Sequence, residues 1–171
     1  MTAAKITPIH GDAVTAIVDL LSAGRLMALG VNRPDGWPQV TTVGYINEGL
    51  DLYFVIARDS QKLANLQADP RVSIAIRREA GHGDAVGVSM AGHAVEVTDP
   101  ATISRINTLA WARYPDFHIY GPGSDFVAVI HLTPQIMSPV SITDGRSHAE
   151  TFSLGAATVD AIPPLPVTAL I

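Results

Sequence analysis

Ser60 and Lys62 carry the clearest chemical signal in this chain. They stand in Leu52 to Ile76, which reads as a strand, a polar turn, a short helix and a second strand. Ser60 is where the helix starts, and Lys62 lies in its first turn. A helix start exposes unpaired backbone N–H groups and the positive end of the aligned peptide dipoles. A hydroxyl and an ammonium added to that turn make a site able to hold a phosphate. The same pair also reads as an ordinary capping serine beside a solvated lysine. Spacing alone leaves both readings open.

Other chemistries fare worse. Gly87-Val-Ser89-Met-Ala91 comes close to the G-x-S-x-G nucleophile elbow, which requires a sharp strand-to-helix turn. Val86 to Val97 reads as continuous strand, so no serine hydrolase is expected. The histidines (His10, His82, His93, His118, His131 and His148) show neither H-x-H nor H-E-x-x-H spacing, and no metal site is expected. His131 alternates with Val127 and Val129 and reads as a packed or partly exposed strand residue. The carboxylates form no recognisable acid–base pair. The absence of cysteine excludes disulfides, thiolate nucleophiles and cysteine–zinc sites. Trp111, Tyr114, Phe117 and Tyr120 concentrate aromatics in one stretch. Buried rings would pin it as a loop, or it would act as a lid or partner-subunit wall over a ligand.

The chain has 171 residues, 47% of them hydrophobic, which fits one globular domain with a real core. Its net charge of -5 argues against a nucleic-acid partner. No apolar run approaches the ~20 residues that span a bilayer, and the first residues lack a signal-peptide core. The expectation is a cytoplasmic protein with no membrane partner.

The elements that must position Ser60 and Lys62 follow from periodicity. Asp12 is expected to cap a first helix, with Val14, Ile17, Val18 and Leu21 at helical spacing and Gly24 as its stop. Leu26–Val31 reads as a strand and Arg33-Pro-Asp-Gly36 as a turn. Gln39–Ile46 is the next strand, with Gln39, Thr41, Val43 and Tyr45 on one face and Val40, Thr42, Gly44 and Ile46 on the other. Asn47-Glu-Gly49 turns into the strand Leu52–Ala57. The helix Ser60–Ala68 points Leu63 and Leu66 inward, and Asp69-Pro70 ends it. Strands follow over 72–77, 85–97, 126–133 and 136–143, with a helix opened by Asp99-Pro100 and facing inward through Ile103, Ile106 and Ala110. A series of short strands with few helices favours a barrel. Residues 1–154 are expected to form the domain. Residues 155–171, apolar and rich in proline, are expected as a tail packed along the body or a partner subunit.

Arg58-Asp-Ser-Gln-Lys-Leu-Ala-Asn-Leu66, followed by Asp69-Pro-Arg-Val-Ser73, resembles the FMN-binding split-barrel family of pyridoxamine 5'-phosphate oxidase and its relatives. The motif is S-x-K-x-x-N-L-x-x-D-P-R-V-S, and Gly36 to Tyr45 resembles the family's second and third strands. The resemblance spans roughly residues 12–133. It implies a mainly β fold with peripheral helices, a homodimeric split β-barrel that binds FMN non-covalently in a groove between subunits. Ser60, Gln61 and Lys62, with Arg58 as helper, would hold the phosphate. Gln39, Val40, Thr41, Thr42, Val55, Ile56 and Ala57 would line the ring. The implied chemistry is hydride or two-electron transfer with a small-molecule substrate or electron donor, and no side chain is singled out as catalytic.

The chain also departs from the family. Gln61 stands where relatives often carry a cation, and Asp59 sets a negative charge beside the phosphate position. Both lower the expected affinity or leave the missing charge to a partner strand. Arg146-Ser-His148 matches the Arg-x-His of the oxidase's substrate site, with Trp111 a further substrate candidate. The same tripeptide also reads as a polar turn. Val140 and Glu150 stand where the oxidase has Trp and Arg, which argues against a vitamin B6 oxidase. Relatives of this barrel also bind the deazaflavin F420 or haem. Haem would need an axial histidine, for which His93 or His118 are the candidates. A flavin-binding sensor or storage protein without turnover is the remaining alternative.

Overall fold

Alternation of buried residues with exposed or half-buried ones along Leu26–Asn32 already shows a strand with one face on a core. The computed structural model describes residues 6–81, 84–116, 125–143 and 145–154. The described elements are β1 (Ile6–Pro8), α1 (Gly11–Ala23), β2 (Leu26–Asn32), β3 (Pro38–Gly44), β4 (Ile46–Glu48), β5 (Asp51–Ala57), α2 (Gln61–Ala68), β6 (Arg71–Gly81), β7 (Asp84–Glu96), α3 (Pro100–Arg113), β8 (Val127–Thr143), β9 (Arg146–Ala149) and β10 (Thr151–Ser153). All ten strands join one sheet, in the order β1-β10-β8-β7-β6-β2-β3, with β4 on β5 and both β5 and β9 on β8.

β8 organises the rest. It pairs with β5 over 127–132, with β7 over 130–142, with β10 at 136–137 and with β9 over 140–143. The sheet thereby wraps one main core that includes Leu21, Leu29, Phe54, Leu63, Leu66, Ile130 and Met137. A second, smaller cluster of Ile46, Tyr53, Ile106, Ala110 and Val129 seats α3. α2 bridges β5 and β6, burying Leu63 and Leu66 as its periodicity predicts. Its end is clamped by Asp69, which accepts from the Arg71 backbone and guanidinium and from Asn32. Those bonds hold the Asp69 carboxyl well below the usual range, Arg71 being the largest cause.

Several expectations are corrected. His10, not Asp12, is the N-cap of α1, and it caps through no side-chain bond; Asp12 sits in the first turn. Gly24 does end α1, but with an extended backbone. Glycine is needed there because a Cβ would run into the Tyr45 hydroxyl. The strand expected over 39–46 breaks at Tyr45, whose hydroxyl donates to the Leu21 carbonyl at 2.7 Å and whose N–H meets the Tyr114 hydroxyl. The final two strands are one. Pro134 sits at a bulge opposite Gly92, where the ladder loses a rung, so the missing N–H interrupts pairing without ending the strand. Trp111 belongs to α3, not to a loop. Phe117, His118 and Tyr120, and the tail 155–171, lie outside the described residues.

Candidate functional site

β5 delivers the chain to Ser60, which takes an extended N-cap conformation. Its hydroxyl accepts from the Leu63 N–H at 3.2 Å and donates to the Ala57 carbonyl at 2.7 Å. The Gln61 and Lys62 amides, ahead of the first intrahelical bond, have no partner within the helix. Lys62 is half-buried and makes no hydrogen bond or ion pair among the described residues. Burial pulls its pKa below the ordinary lysine value. A desolvated ammonium at the positive end of a helix is unfavourable by itself, and an incoming anion would relieve it.

The other expected phosphate contacts are partly engaged elsewhere. Arg58 pairs with Glu96 at 2.6 Å, directed at the end of β7. Gln61 donates through Nε2 to Asn65 Oδ1 at 3.0 Å, and Asn65 donates through Nδ2 to Gln39 Oε1 at 3.2 Å. Asn65 is fully buried. A polar relay therefore runs from the first turn of α2 to β3. Neither Asn65, present in the motif without a role, nor Glu96 is among the site residues expected from sequence. Asn65 is a position of the family motif and stands i, i+4 from Gln61, two signals that mark it without giving its role. Glu96 lies 38 residues from Arg58 and gave none.

The ring-lining candidates divide between strand faces. Gln39, Thr41 and Val43 turn partly inward, while Val40 and Thr42 are exposed on the outer face of β3. The Thr41 hydroxyl oxygen is buried without a hydrogen-bond partner. On β5, Ile56 is a core residue and contributes only backbone to any slot, whereas Val55 and Ala57 are half-buried. The outer face continues from Val40 across Gly30, Ser73, Ala91 and Ile136, flooring an open groove of about 740 Å3. His93 lines this groove, with Nδ1 3.0 Å from the Gln135 amide nitrogen.

Arg146 and His148 both lie on β9. His148 lines a separate groove of about 540 Å3 with Asp19, Arg78 and Glu150. The described contacts do not bring Trp111, on α3, to either residue. His131 is a half-buried strand histidine, within the packed or partly exposed range its alternation suggests, 3.0 Å from Asp51 and stacked on Tyr53 at 4.5 Å. Ser89 lies mid-strand in β7, without an elbow. Among the described residues, no three His, Cys, Asp or Glu side chains gather as a metal site, and no helix is long and apolar enough to cross a membrane.

A strand-rich barrel with a capped helix bridging β5 and β6 defines the split-barrel class. The chain belongs to the pyridoxamine 5'-phosphate oxidase family, whose model matches residues 13–140. No curated protein matches the chain. Among solved structures, it is similar to an FAD-binding protein from Mesorhizobium loti, with a TM-score of 0.65 and 20% identity over 79% of this chain and 96% of that one. A haem-binding protein from Mycobacterium smegmatis gives 0.67 and 21%, over 84% of this chain and 59% of the other. The haem storage protein HutZ from Vibrio cholerae gives 0.61 and 13%, over 71% and 89%. At these identities the likeness establishes the fold.

Proposed function

We propose that the chain is an FMN-binding flavoprotein that works as a homodimeric oxidoreductase on a small molecule. The observation that carries this reading is Lys62, a half-buried ammonium without a partner among the described residues, set in the first turn of a helix capped by the neutral Ser60. The unpartnered Thr41 hydroxyl, on the strand joined to that helix by the Gln61–Asn65–Gln39 relay, supplies a polar group for a ring edge. When bound, FMN would supply a two-electron acceptor. The protein's own part is to grip the phosphate through Lys62 and the free amides, to orient the ring against β3, and to exclude water. Val40, Leu26 and Ile142, all exposed, rise from an outer sheet face otherwise floored by small residues such as Gly30, Ala75 and Ala91. That face suits a second copy of the chain, which would complete the groove.

Titration with FMN, followed by quenching of flavin fluorescence, tests the reading. Saturable binding that weakens in Lys62→Ala supports it; no binding, or binding indifferent to Lys62, overturns it. Sedimentation at several concentrations tests the dimer. Haem is the second reading, favoured by the imidazole of His93 at a groove large enough for a flat ligand. A Soret band that persists through gel filtration and is lost in His93→Ala would replace FMN with haem. F420 titration and turnover with reduced nicotinamide separate the deazaflavin and storage alternatives.

A further inference from the structure

We infer that Asn65 is a positioning residue that makes phosphate grip and ring placement a single event; this rests on the FMN reading above. Asn65 sits in the inward face of α2 between Leu63 and Leu66, both buried. An apolar residue would satisfy the packing there. Asparagine is a poor helix former, and a buried amide costs stability unless it is hydrogen-bonded. Asn65 meets that cost in two directions. Its Oδ1 accepts from Gln61, one turn back beside Lys62, and its Nδ2 donates to Gln39, two residues from Thr41 on β3. Its backbone carbonyl accepts from the Asp69 N–H at 2.9 Å, completing the helix end. One fully buried side chain thus ties the turn carrying Lys62 to the strand carrying Thr41, two groups without a partner among the described residues. Both arms use neutral donors and acceptors. The link is therefore geometric, and the charge at Lys62 remains available to the ligand.

The test compares FMN with riboflavin, which has the same ring and lacks the phosphate. In the wild type, the ratio of the two affinities reports what the phosphate contributes. In Asn65→Leu, close in volume and suited to the core, that ratio is expected to shrink by about tenfold, the scale of lost hydrogen bonds. The visible spectrum of bound flavin should shift at the same time. Gln39→Leu should reproduce the effect from the strand side, and the two substitutions together should cost no more than either alone. Gln39→Leu also keeps the inference testable if Asn65→Leu does not fold. A ratio and spectrum unchanged in a folded variant, or additive effects in the double variant, would overturn the inference while leaving the FMN reading intact. If the wild type binds neither flavin, the FMN reading falls, and this inference falls with it.

Discussion

α2 and α3 are capped alike and differ in the charges at their starts. Each N-cap side chain accepts from the backbone N–H three residues on, Ser60 from Leu63 at 3.2 Å and Asp99 from Thr102 at 2.8 Å. At α3 the cap is itself an anion, fixed further by the Thr102 hydroxyl, and its pKa is lowered by those bonds. That helix brings its own negative charge to its positive end. At α2 the cap is neutral, the first turn contains no acid, and a half-buried lysine is added where positive charge is least welcome. Asp59, just outside, is exposed and offsets little. One helix start carries its own counter-charge, while the other carries an added positive charge and, on the reading proposed above, takes its counter-charge from a bound phosphate.

Lys62→Ala should break this contrast most sharply. It is expected to weaken FMN binding by about 1–3 kcal/mol, as for a charged hydrogen bond. Calorimetric melting of the ligand-free protein should show no loss of stability, because the substitution removes an uncompensated charge. Asp99→Ala should do the reverse, lowering the melting midpoint and leaving FMN affinity unchanged.

A pH series sharpens the same point. The pKa of Lys62 is lowered in the folded state relative to the ordinary lysine value of 10.5. Between the two values the unfolded chain holds a proton that the folded one has shed. Ligand-free stability from this group therefore rises with pH across that window, whereas FMN affinity falls as the ammonium is lost. In Lys62→Arg, which stays charged, the alkaline fall in affinity should disappear. The smallest effect is expected from Glu96→Gln, which releases Arg58 from its ion pair. FMN affinity should rise by about 0.5 kcal/mol, the scale of an exposed pair, and an unchanged affinity would remove Arg58 from the phosphate's surroundings.

The local parts of this architecture were legible in the residues. Ser60, Asp69-Pro70 and the Leu63/Leu66 spacing mark α2 because capping, termination and amphipathicity act within a few positions. Asp99-Pro100 marks α3 for the same reason. Long-range pairing was not legible. The Arg58–Glu96 ion pair depends on the β5–β8–β7 arrangement, and no local pattern encodes it. The motif contains Asn65 but assigns it no role, because burial of its amide is decided by Gln39 arriving from β3. The strands expected over 126–133 and 136–143 are one, since sequence shows the missing Pro134 donor but not the bulge that accommodates it. The ring-lining list ran through consecutive residues, yet a pleated strand divides them between two faces, so Val40 and Thr41 cannot present side chains to the same side.

The sharing of β8 among four neighbours bears on how the molecule is made. Asp51 at the start of β5 meets His131 of β8, 80 positions later. During synthesis β5 waits with its edge open until nearly the whole domain has left the ribosome. The β6–β7 hairpin, by contrast, can zip as soon as it emerges. Such distant pairing slows folding, and exposed strand edges in the waiting chain invite association with neighbours. A chain cut short before Val127 would keep its central hairpin but leave β5 as a lasting sticky margin, prone to aggregate rather than to persist as a half barrel.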